Sequence, residues 1–126
     1  MLKLVRIVTL ALALVVVACA GGEPAPTMIP QGTYLANSGA GNEQLKFSKN
    51  TYLIVLDGAS YVQGSYISTD RQITLTTSSI SQKCIGDVGP AVYSWAFKSN
   101  LLTLKKDSDA CAFRTGVLQQ TWQKQE

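Results

Sequence analysis

From Gly32 onward, apolar and polar residues alternate in short runs separated by turn-forming residues. Residues 32–35 open a first strand, and 44–48 a second with Leu45 and Phe47 on one face. Residues 52–56 form a third strand, followed by Asp57-Gly58, a strong hairpin signal. Over 60–68, Tyr61, Gln63, Ser65 and Ile67 alternate with Val62, Gly64 and Tyr66, and Gly64 marks a bend or bulge in a curved sheet. Ile73 and Leu75 point inward from 72–77. Tyr93, Trp95 and Phe97 share one face of 91–98, with Ser94 and Ala96 on the other, and Ser99-Asn100 turns the chain into 101–105. One helical turn is predicted over 108–114, capped by Ser108 and ended by Gly116, before a last strand over 117–123 with Leu118 and Trp122. Eight short strands at regular spacing, without crossover helices, predict an all-β fold. It is an antiparallel eight-stranded meander barrel or a two-sheet sandwich.

The first 31 residues follow other rules. Lys3 and Arg6 precede an almost wholly apolar run over 7–20, which ends in small residues. A charged start, an apolar run of this length and a small-residue end describe an export signal, and the run is shorter than the about 20 residues of a transmembrane helix. Residues 20–31 carry three of the four prolines and two glycines, the composition of an extended tether. The division is thus signal peptide 1–18, modified N-terminus and tether 19–31, and folded domain 32–126.

Val16-Val17-Ala18-Cys19 resembles the lipobox of bacterial lipoproteins. The resemblance implies cleavage before Cys19, acylation of its sulfur, and anchoring outside the cytoplasm in a bacterial cell envelope. Several acyl chains, each buried CH₂ contributing about 0.8 kcal/mol, hold a protein far better than one. The alternative is an ordinary signal peptide in which Cys19 is incidental.

Export changes the charge and cysteine readings. The whole chain carries 11 basic and 8 acidic residues. Loss of Lys3 and Arg6 with the signal leaves 9 against 8, a balance of +1. The remaining cations are scattered and form no phosphate-tracking stripe, which argues against a nucleic-acid partner. Cys84 and Cys111, 27 positions apart, are the simplest disulfide in an exported chain, and closing that loop stabilises by roughly 3–4 kcal/mol. With no His and no C-x-x-C, neither a metal site nor a cofactor is expected.

The region from Gly32 to Trp122 resembles small exported bacterial proteins with a lipocalin-like (calycin) barrel. The likeness rests on Gly32-Thr33-Tyr34, Gly64-Ser65-Tyr66, Ile73-Thr74-Leu75, Cys84, Tyr93-Ser94-Trp95 and Leu102-Thr103-Leu104. It extends to Asp109-x-Cys111-x-x-Arg114, Leu118 and Trp122. Lipocalins proper carry Gly-x-Trp on the first strand beneath a basic residue; here Tyr34 stands in the Trp place, and Arg114 is the candidate basic partner. Read without the family, Arg114 beside Asp107 and Asp109 is an ion pair fixing a loop, of the exposed kind that contributes about 0–1 kcal/mol.

An enzyme is not expected. The usual general base is missing, the close carboxylates Asp107 and Asp109 sit among cations, and no G-x-S-x-G elbow occurs. Two functional classes remain. One is a tethered barrel that binds a small apolar ligand, with Tyr61, Tyr93, Trp95 and Phe97 as candidate lining; the same aromatics at period two also fit a packed core. The other is a protein-interaction or inhibitor lipoprotein using the loops 38–42 and 78–90.

Overall fold

The computed structural model describes residues 25–36, 42–80 and 89–126. Cys19, Cys84, the signal segment and most of both predicted interaction loops lie outside the described residues, as do the side chains of Ser60, Tyr61, Ser79 and Ile80. The order is β1 (Gly32–Ala36), β2 (Gln44–Ser48), β3 (Thr51–Leu56), β4 (Ala59–Ser68), β5 (Gln72–Ile80), β6 (Ala91–Lys98), β7 (Leu101–Ser108), α1 (Ala112–Leu118) and β8 (Thr121–Lys124). Every sequential pair is antiparallel, and β8 returns to pair with β1, so the eight strands close into a barrel rather than a sandwich.

Closure makes the period-two pattern decisive, because inward positions meet one shared core. Tyr34, Leu45, Phe47, Tyr52, Ile54, Val62, Tyr66, Ile73, Leu75, Tyr93, Trp95, Leu102, Leu104 and Trp122 all turn inward and are buried. Each large apolar side chain so buried contributes about 1.5–3 kcal/mol. Two tight turns carry the positive φ that right-handed strand twist demands: Asp57 and Gly58 at 49° and 81°, Ser99 and Asn100 at 53° and 62°. At Gly64 the β4–β5 register shifts, as a bulge does. A Cβ there would stand 2.0 Å from the Thr76 carbonyl oxygen, so only glycine lets the strands approach.

The helix departs from the sequence reading. β7 runs on to Ser108, so Ser108 caps nothing. The cap is Cys111, whose sulfur accepts the Arg114 N–H at 3.3 Å. Gly116 lies inside the helix instead of ending it, and Val117 and Leu118 are helical rather than part of the last strand. An interior glycine costs about 1 kcal/mol. Burying Val117 and Leu118 against the barrel core outweighs that cost. The chain then leaves through Gln119, whose N–H bonds the Thr115 carbonyl at 3.1 Å, while the Trp122 indole N–H bonds the Leu118 carbonyl at 3.1 Å.

The two barrel ends differ. At the turn end lie the β2–β3, β4–β5 and β6–β7 turns and the entry of the chain at Gly32. At the helix end lie α1 and the other connections.

Candidate functional site

At the helix end the interior is polar, and its centre is Arg114. The residue is fully buried, and its Nη2 and Nε donate to the two oxygens of Asp109 at 2.6 and 2.8 Å. The third arm, Nη1, donates to Thr77 Oγ1 at 2.6 Å, which in turn shares a 2.7 Å hydrogen bond with the Tyr52 hydroxyl. Asp109 also accepts the Tyr93 hydroxyl and, at 2.8 Å, the Cys111 N–H. The expected exposed loop pair is therefore corrected: neither side chain is exposed at all. The reason is the helix. Its capping turn swings Arg114 under the barrel, where β3, β5 and β6 supply the oxygens and hydroxyls that a buried guanidinium requires. Asp107 takes no part; it accepts from Ser94 Oγ at 2.6 Å and Gln72 Nε2 at 3.3 Å.

The charges are fixed by this geometry. Burial pushes against the Asp109 carboxylate, but the Arg114 fork, the Tyr93 hydroxyl and the Cys111 N–H outweigh it and hold the carboxyl below its ordinary range. Burial likewise opposes the Arg114 charge, and Asp109 more than restores it. The Tyr93 hydroxyl is pushed upward by burial and by donating to Asp109. Every member is paired and neutralised, so the cluster holds the helix in place and offers no free acid, base or nucleophile.

The turn end is aromatic. Tyr34 packs edge-on against Phe47 at 5.9 Å and Phe97 at 6.4 Å, and Phe47 meets Tyr66 at 5.0 Å. Trp95 borders them, its indole N–H bonded to the Thr69 carbonyl at 3.0 Å. Across this end lies a piece of the predicted tether. Ile29 is only 2% exposed and belongs to the core, its N–H bonded to Ser68 Oγ at 3.1 Å. The Tyr34 hydroxyl donates to the Pro30 carbonyl at 2.6 Å. Contact with the barrel thus begins before the domain boundary read at residue 32.

One atom in this aromatic end is not accounted for by the protein. The Tyr66 hydroxyl is buried and, among the described residues, is the buried side-chain polar atom without a hydrogen-bond partner. Burial raises its pKa, and its proximity helps burial raise that of Tyr34. Of the candidate lining residues, Tyr93 belongs to the polar cluster, Trp95 and Phe97 to the aromatic end, and the Tyr61 side chain lies outside the described residues.

Sequence reading missed Tyr66 and Ile29 as parts of a site. Tyr66 was legible in its alternation with Val62 and Gly64, whereas Ile29 stands alone among prolines and carries no periodic signal. Outside the barrel, a groove of about 370 Å³ crosses the wall between Lys46, Thr51, Leu53, Gln63, Ser65 and Ser78. Among the described residues no group of three His, Cys, Asp or Glu side chains is placed to hold a metal ion. No family model, curated protein or solved structure matches the chain.

Proposed function

We propose that the protein is an envelope lipoprotein, moored through Cys19, whose lipocalin-like barrel binds a small apolar ligand bearing one polar group at the aromatic turn end. The observation that carries the reading is the unpartnered Tyr66 hydroxyl. A buried polar group left unpaired costs about 1–3 kcal/mol, and a ligand oxygen reaching it removes that cost. The surrounding rings of Phe47, Tyr34 and Phe97 suit an apolar body, and Ile29 adds an apolar side chain from outside the strands. The Cys84–Cys111 bridge belongs to the same reading. A bond from Cys111, the cap of α1, to Cys84 would clamp the start of that helix to the chain that follows β5.

Binding of the fluorescent fatty acid cis-parinaric acid to the wild type and to Tyr66→Phe tests it. Wild type is expected to bind the probe, and Tyr66→Phe to bind it about tenfold more weakly. The variant's own stability is expected to stay level or rise by about 1 kcal/mol, because an unpaired hydroxyl has been removed. No binding by wild type, or equal binding by the variant, contradicts the ligand role.

A second reading, recognition of a protein or another polar partner, is favoured by the outer groove, whose wall is mainly Ser, Thr, Gln and Lys. Recovery of a stoichiometric protein partner that a Ser65→Arg substitution abolishes would replace the first reading with this one.

A further inference from the structure

We infer that the turn end of the barrel lies flat on an anionic lipid surface. The inference rests on the proposed mooring at Cys19 and on observations separate from the ligand site. Among the described residues the exposed large apolar side chains are Met28, 54% exposed, and Ile67, 73% exposed. The Ile29 N–H to Ser68 Oγ hydrogen bond joins the residues that follow these two and so brings both to the turn end, one on the incoming chain and one next to the last residue of β4.

Charge on the same end is positive on balance. Lys49, Arg71 and Lys98 stand exposed in or beside the three turns. Lys124 is held there by its N–H bond to the Asn100 carbonyl and by the close approach of its side chain to Gly32. Against these four cations stand Asp70, Glu126 and Asp107, the last hydrogen-bonded to Gln72 beside the β4–β5 turn. Toward the helix end, by contrast, Arg114 is neutralised by Asp109, and Glu43 and Asp57 are acidic. Two apolar side chains ringed by cations is the composition of a surface that sits at the headgroup level, its apolar tips below the phosphates and its cations among them.

Chain length agrees. Met28 lies nine positions after Cys19. That stretch reaches at most roughly 30 Å and enters at the turn end, so the turn end is the face nearest the mooring. The aromatic end of the barrel then faces lipid, where apolar ligands are concentrated.

Hydrogen exchange of the full, membrane-purified chain, reconstituted in phosphatidylglycerol-rich or in pure phosphatidylcholine vesicles, tests this. Amides of the turns at 49–50, 69–71 and 99–100 are expected to exchange at least about fivefold more slowly on the anionic vesicles. The Asp57-Gly58 turn at the other end is expected to exchange equally on both. The slowing is expected to vanish in the Met28→Gln, Ile67→Gln double variant, while the protein still floats with the vesicles. Equal exchange on both vesicles, with the protein still floating, overturns the face and leaves the mooring intact. A chain that carries no acyl groups and does not float overturns both.

Discussion

Replacing Asp109 by Asn leaves the Arg114 guanidinium charged, buried and short of its counter-ion. A pair with no exposed side-chain surface does not follow the arithmetic of surface salt bridges, and removing one partner of such a pair costs about 3–5 kcal/mol. Asp109→Asn is expected to lower the denaturation midpoint accordingly, whereas the paired change Asp109→Leu with Arg114→Met costs much less. The same residue sets the acid limit. Its carboxyl titrates below its ordinary value in the folded chain. It therefore contributes stability that is fully present above the unfolded value of about 3.9 and is lost as pH falls through the folded value. Wild-type stability is expected to drop steeply below about pH 4, and the Asp109→Asn profile to be flatter there; identical slopes in urea titrations at several pH values would count against the cluster's role. Sequence pattern alone paired Asp109 with Arg114 but put both in solvent, because spacing shows who is near whom and not what covers them. The covering groups, Tyr52, Thr77 and Tyr93, come from three strands distant in the chain.

At the scale of elements, the strands were the legible part. Period-two alternation and turn residues located the first seven, although β5 runs on through 78–80, which were read as loop, and the eighth was met only over 121–123; Gly64 announced the bulge, since strand interiors rarely carry glycine without a backbone reason. Gly64→Ala is expected to destabilise by about 1–3 kcal/mol or more, with the loss read in thermal unfolding, because the intruding methyl meets backbone that cannot rotate away. Gly116→Ala serves as the contrast: a Cβ there meets nothing within 4 Å, and the change is expected to stabilise the helix by up to about 1 kcal/mol. The helix itself was displaced in the reading because two local rules, serine as cap and glycine as stop, pointed to residues that tertiary packing overrode. A buried cysteine took the cap through its sulfur, and Leu118, fully buried, pulled the helix past its glycine. Ile29 escaped notice for a related reason, since a lone apolar residue among prolines gains meaning only from the barrel mouth it covers.

At the scale of the molecule, closure of β8 on β1 leaves a barrel whose two ends differ in chemistry. The helix end is cross-braced by charge and hydrogen bonds. The turn end gathers the aromatic rings, the unpaired Tyr66 hydroxyl, the exposed apolar pair and the excess of cations, all beside the point where the chain leads back toward Cys19. In the proposed reading, mooring, membrane contact and ligand uptake converge on this face. The most direct measurement is native mass spectrometry of the chain purified from its own membrane, before and after organic extraction. The expected spectrum begins at an acylated Cys19, shows no free thiol, and carries an extra small mass that extraction removes. A chain that retains Met1 with an unmodified Cys19, or one whose mass is unchanged by extraction, contradicts a moored, ligand-carrying barrel.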